Sequence, residues 1–154
     1  MEGTSMLPNS RIVAVAALAY AIAGAPSAMA QDIEVFKSES CACCELWVKH
    51  LQSNGFAAKG KNVSLGELAR LRARAGLRPE LQSCHTGRVA GYLIEGHVPA
   101  SDVKRLLAEK PDAIGLSVPG MPLGSPGMEA GDQREPYEVL LVKRDGTTEV
   151  FARH

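Results

Sequence analysis

Apolar positions fall along this chain first as one unbroken block and then as short periodic runs. Ile12 to Gly24 is apolar throughout, follows Arg11, and is followed by Pro26 and by Ala28-Met29-Ala30. A positive flank, an apolar centre and a small-x-small end predict a secretory signal peptide over residues 1–30, cleaved after Ala30. The block is shorter than the roughly 20 residues a spanning helix needs, so a membrane anchor is the poorer reading. Beyond it, Ile33 to Lys37 alternates apolar and polar residues, as a half-buried strand does, and ends in Ser38 to Ser40. Cys44, Trp47, Val48 and Leu51 then recur at i, i+3, i+4 and i+7, one face of a helix that Asn54-Gly55 stops. Phe56 to Val63 is a second strand candidate. Ser64-Leu65-Gly66-Glu67 is a capping box opening a helix through Ala75, with Gly76 at its end and Pro79 beyond. Leu65, Leu68, Leu71 and Ala75 are its expected core side.

Val89, a turn at Ala90-Gly91 and Tyr92 to Glu95 predict a short hairpin. Gly96-His97-Val98-Pro99 opens a third helix, Ala100 to Glu109, with Val103, Leu106 and Leu107 inward and Pro111 ending it. The order βαβαββα is that of an α/β, thioredoxin-like fold, a mixed central sheet with helices on both faces. Ile114 to Glu135 is dense in Gly and Pro and carries Met121 and Met128, which predicts an irregular loop. Tyr137 to Lys143 and Thr147 to Ala152 flank Asp145-Gly146 and predict a C-terminal β-hairpin. Residues 31–154 therefore read as a single domain.

Charge narrows the partners. Lys and Arg number 17, as do Asp and Glu, and Glu2 and Arg11 leave together with the signal peptide. No basic stripe is offered to nucleic acid, and no stable membrane insertion is expected after cleavage. Lys104, Arg105, Glu109 and Lys110 read as a solvated helix face, and Trp47 reads as core.

The chemistry lies in four cysteines. Cys41-Ala42-Cys43-Cys44 sits at the turn between the first strand and the first helix, and Cys84 stands beside His85 far downstream. An exported chain with four cysteines is ordinarily read as two disulfides. The crowding of Cys41, Cys43 and Cys44 suits structural bridges badly, because a disulfide wants α-carbons about 5.5 Å apart. In the thioredoxin-like fold a C-x-x-C pair occupies this turn, matched by Cys41 and Cys44 with Cys43 inserted. The loop before the third strand faces it, carrying Cys84 and His85 where thioredoxins place a cis-proline. The loop after the fourth strand opens to the same end and carries His97. Four thiols and up to two imidazoles are thus expected to converge at the start of a helix, where negative charge is favoured.

Soft sulfur selects copper(I), zinc or iron-sulfur, and imidazole suits copper and zinc. Three thiols from one tight turn strain to surround a single ion but can bridge several, so a multinuclear copper(I) site is favoured over a tetrahedral zinc site. Met121 and Met128 are candidates for a thioether lid. Plainer roles compete. Cys41 and Cys44 can form an ordinary disulfide, His85 can bond the backbone of its own turn, and His97 can help cap the third helix. His50 and His154 are expected to be solvated. Two further functions stay open: a thiol-disulfide oxidoreductase with Cys41 attacking and Cys44 resolving, and a structural zinc module.

Several stretches together carry a family resemblance: Cys41-Ala42-Cys43-Cys44 with Trp47, Ser83-Cys84-His85-Thr86, Gly91-Tyr92, Glu95-Gly96-His97-Val98-Pro99, Lys104-Arg105-Leu106-Leu107, Gly120-Met121-Pro122, Gly124 to Glu129, and Val150 to Arg153. By these the chain resembles the CopG-like proteins, periplasmic copper-resistance and metal-binding proteins of Gram-negative bacteria with a CxCC motif. The resemblance implies a periplasmic, thioredoxin-like domain that contributes to copper tolerance by binding copper or converting it between oxidation states. It implies Cys41, Cys43, Cys44 and Cys84 as copper thiols, with His97 and Met121 or Met128 as further ligands and other periplasmic copper-handling proteins as partners. The family usually has glycine where Ala42 stands, and alanine there restricts a left-handed backbone.

Overall fold

The computed structural model describes Met1 and residues 31–154. The expected signal peptide and its cleavage position fall on residues 2–30, outside the described residues. The first alternating run forms β1 (Asp32–Lys37), followed by α1 (Ala42–Ser53), β2 (Ala57–Asn62), α2 (Leu65–Arg74), β3 (His85–Val89), β4 (Tyr92–Glu95), α3 (Ala100–Glu109), β5 (Ala113–Ser117), β6 (Glu138–Lys143) and β7 (Thr148–Arg153). The expected βαβαββα order is present through α3. No helix among the described residues is long and apolar enough to cross a membrane.

The strands form one mixed sheet in the order β2-β1-β3-β4-β5-β6-β7. β1 runs parallel to β2 and antiparallel to β3, while β4 runs parallel to β5. Because strand side chains alternate faces, each strand feeds two layers. Ile33, Val35, Ile94, Leu116, Val139 and Leu141 pack with Trp47, Val48 and Leu51 of α1 and with Val103 and Leu106 of α3. The opposite face meets α2 and the segment after it, where Leu77 and Leu81 pack on Val142. The α1 stripe is as its spacing predicts: Cys44, Trp47, Val48 and Leu51 are its buried residues.

Two expectations are corrected. Residues 114–117, read as the start of a loop, belong to β5, which lies between β4 and β6 and buries Ala113 and Leu116. Its apolar run is short and interrupted by Gly115, so the glycine and proline density that follows masked it. The irregular segment therefore starts at Val118. On α2, Leu65 is exposed and Leu71 only half-buried, while Leu68 and Arg72 are buried. The helix turns a charged residue inward because Glu95 waits for it inside.

Gly96, the first residue after β4, has φ +74°, and a Cβ there would run into the carbonyl oxygen of Val118 and the side chain of Ser83. No other residue fits where three segments meet. Gly96→Ala should therefore cost about 1–3 kcal/mol, read as a lower urea midpoint at unchanged slope. An unchanged midpoint would show that the neighbouring segments shift freely.

Candidate metal centre

β1 ends at one end of the sheet, and Ser38 to Ser40 turn the chain so that Cys41 becomes the N-cap of α1, with its N–H bonded to Ser38 O at 3.3 Å. Cys41 makes no side-chain cap bond, which leaves the first-turn N–H groups of α1 without a cap from the N-cap residue. Cys41 and Cys44 are joined as a disulfide with α-carbons 5.3 Å apart. The objection from crowding does not apply to this pair: residues i and i+3 around one helical turn stand at about the 5.5 Å that a bridge wants. Cys43 and Cys84 are free thiols. Cys43 Sγ lies 3.5 Å from Cys41 Sγ and 3.8 Å from Cys84 Sγ, so the four sulfurs form one contiguous group.

A second donor group shares Cys84. Its Sγ is 3.2 Å from His85 Nδ1 and 3.3 Å from His97 Nε2. The outer nitrogens are both occupied: His85 Nε2–H donates to Gly96 O at 3.0 Å and His97 Nδ1–H to Pro126 O at 2.9 Å. Since a carbonyl only accepts, each outer nitrogen holds its ring's proton, and the inner nitrogen presents a lone pair to Cys84. This is the outer-shell arrangement that orients metal-binding imidazoles. Burial, reinforced by the nearness of His97, pushes His85 down to about 3. Burial also lowers His97, so both rings are neutral near neutral pH. The Cys84 thiol is pushed up to about 12, first by burial and then by Cys43 beside it, so its single proton is available to one imidazole nitrogen at a time.

Bonds of about 2.0–2.3 Å to nitrogen and sulfur put the donors of a tetrahedral ion about 3.3–3.8 Å apart. The distances from Cys84 Sγ to Cys43, His85 and His97, 3.2–3.8 Å, are close to that range, and Cys84, His85 and His97 form one compact donor group.

The supports come from all three layers. The Trp47 ring lies 4.4 Å from the His85 ring, and its Nε1–H donates to Val98 O at 2.8 Å. On the other face of the sheet, fully buried Glu95 meets Arg72 at 2.6 Å. Glu95 also accepts from Ser83 N–H at 2.7 Å and Thr86 Oγ1 at 2.6 Å, while Arg72 donates to Ser83 O at 2.8 Å. Burial pushes the Glu95 carboxyl up, and Arg72, Thr86 and Ser83 pull it back. The residues on both sides of Cys84-His85 are thereby tied down. Sequence reasoning missed this clamp; its signal was Arg72 four residues after Leu68, a cation on the apolar stripe of its helix.

The Gly/Pro-rich loop touches the site with its backbone. Ser83 Oγ donates to Gly120 O at 2.5 Å, Pro126 O accepts from His97, and Gly127, at φ +88°, sits where a Cβ would stand 2.9 Å from Cys43 O. Met121 and Met128 each adjoin one of these contacts; Met121 is half-exposed and Met128 partly buried. The other two histidines are not simply solvated as expected. His50 Nε2 accepts from Ala100 N at 3.0 Å, so it is His50, reaching across from α1, that caps α3, while His97 is committed elsewhere. His154 contacts Asp102 Oδ2 at 2.7 Å and stacks on Tyr137.

A family model described as a protein of unknown function, DUF411, matches residues 81–128, which include Cys84, His85, His97, Met121 and Met128. Two solved structures, described as form 1 and form 2 of a copper resistance protein copG, are each 41% identical to this chain with a TM-score of 0.75. The first match covers 80% of this chain and 96% of the other, and the second covers 81% and 98%. No curated protein sequence matches.

Two outcomes follow from the buried groups. The His85 pKa is lower folded than unfolded, so the unfolded chain takes up the proton first as pH falls. Stability should be at its plateau above pH 6.5 and fall by about 1.4 kcal/mol per pH unit on account of His85 as pH drops from there toward 3. Urea titrations at stepped pH should show this slope, and it should flatten in His85→Gln. Glu95→Gln, which strands a buried guanidinium, should cost about 3–5 kcal/mol, and a near-neutral result in the same assay would contradict the clamp.

Proposed function

The chain belongs to the CopG family of copper resistance proteins, and on that premise we propose that it is a periplasmic copper-handling protein. In this reading residues 1–30 direct export and residues 31–154 form one thioredoxin-like domain. The domain takes copper, chiefly copper(I), on the thiols of Cys41, Cys43, Cys44 and Cys84, several ions being bridged by shared sulfur. His85 and His97 add nitrogen donors that tolerate copper(II), so that the site interconverts the two oxidation states. Met121 and Met128 supply thioethers from a loop already seated against the cysteine turn. Copper is exchanged with other copper-handling proteins of that compartment.

The observation that carries this reading is the position of Cys84 Sγ, common to a group of four sulfurs and to a group of one sulfur and two imidazoles. A softer and a harder donor set meeting at one atom suits a metal that changes oxidation state in place. The test is anaerobic loading of the reduced mature chain with copper(I), desalting, and elemental analysis. More than one copper per chain is expected, and a single copper per chain would contradict bridging. Cys84→Ser should lose most of the copper with an unchanged circular dichroism spectrum. His97→Ala should alter redox behaviour more than copper(I) capacity.

The Cys41–Cys44 bond favours a second reading, a thiol-disulfide oxidoreductase. Against it, Cys43 at 3.5 Å from Cys41 offers a trap for mixed disulfides. Robust insulin reduction by metal-free protein would favour it.

A further inference from the structure

We infer that the Cys41/Cys44 dithiol is an internal electron source: it reduces two copper(II) ions to copper(I) and closes to a disulfide, leaving Cys43, Cys84, His85 and His97 as the ligands that keep the product. The inference rests on the copper reading of this site and adds where the electrons come from. Each thiol gives up one electron and one proton; two copper(II) become two copper(I), the bond between Cys41 Sγ and Cys44 Sγ forms, and the two protons pass to solvent. Renewal of the dithiol falls to an external thiol reductant.

Three observations support it. First, with Cys41 and Cys44 already bonded, the remaining donors are not dispersed: Cys43 Sγ stays 3.8 Å from Cys84 Sγ, which stays within 3.3 Å of both imidazole nitrogens. Closing the bridge removes two sulfurs and leaves the Cys84, His85 and His97 group intact, with the Cys43 thiol beside it as a further soft donor. Second, the electron source and this set are contiguous, because Cys43 Sγ lies 3.5 Å from Cys41 Sγ. Third, the bond falls on the pair that can close within one element. Cys41 and Cys44 share one turn of α1, with α-carbons 5.3 Å apart. Drawing Cys43 and Cys84 from 3.8 Å to a bond of about 2.05 Å would instead pull on a strand start fastened by Arg72 and Glu95. Fully buried Cys44 is shielded, whereas Cys41 is partly exposed, so an external reductant meets the bridge at Cys41.

The experiment mixes the fully reduced mature chain with two equivalents of copper(II) without oxygen, follows the copper(II) electron paramagnetic resonance signal, then strips copper(I) with a chelator and maps thiols by alkylation and peptide mass. The expected result is loss of the signal, a single disulfide at Cys41–Cys44, and Cys43 and Cys84 both alkylated. The same chain in urea should give mixed pairings, and in Cys41→Ser the signal should persist. Persistence of copper(II) with four intact thiols in the wild type, or a Cys43–Cys84 disulfide, would overturn the inference. A parallel arm supplies copper(I) directly to the reduced and to the disulfide form. If the reduced form retains none, the copper reading itself fails; if it retains copper(I) yet does not reduce copper(II), only the electron-source inference fails. Retention by the disulfide form is expected, and its absence would overturn the ligand set assigned to that state.

Discussion

The ion pair between Arg72 and Glu95 sets the position of everything that follows it in space. A cation from α2 and a carboxylate from the end of β4 meet at 2.6 Å inside the protein, and between them they bond the backbone of Ser83 in both directions and the hydroxyl of Thr86. Such a pair contributes little net stability against an apolar replacement, because desolvation offsets the attraction. What it provides is location. Cys84 and His85 lie between its two anchor residues, so the thiol and imidazole on which the site turns are held by groups on the far face of the sheet. The close approach at Gly96, which admits only glycine, completes the same constraint from β4.

Cys84 then acts as a junction. On one side is a helix start that gathers three sulfurs because a single turn of α1 carries them. On the other are two neutral imidazoles whose inner lone pairs are aimed by carbonyls behind them, one from the residue after β4 and one from the Gly/Pro-rich loop. The loop is thereby part of the site's architecture through Pro126 and Gly127, whatever its methionines contribute. Burial keeps both rings neutral and the Cys84 thiol protonated, so a metal that binds here displaces a thiol proton and no imidazole proton.

Much of this was legible beforehand, because local periodicity carries local information. The capping box at Ser64, the buried stripe of α1 and the bounds of α3 all follow from patterns within a turn or two of helix. The convergence of the cysteine turn with Cys84 and His97 was legible only through the element order, which fixes what lies at one end of the sheet. What escaped depends on pairing between distant segments. β5 is short and broken by Gly115, and its neighbours in the sheet make it a strand. The inward turn of Arg72 escaped because its partner, Glu95, stands on another element twenty-three residues on. His50 looked solvated because the N–H it accepts from belongs to Ala100, fifty residues on. The Cys41–Cys44 bridge was judged against crowding when the relevant quantity was the separation across one helical turn.

The central claim is that copper sits among these sulfurs and imidazoles together. X-ray absorption at the copper edge, on the mature chain loaded with copper(I), reads the neighbours of the metal directly. The account predicts a first shell dominated by sulfur with an imidazole contribution that diminishes in His97→Ala. A shell of oxygen and nitrogen alone, unchanged by replacing Cys84, would contradict it.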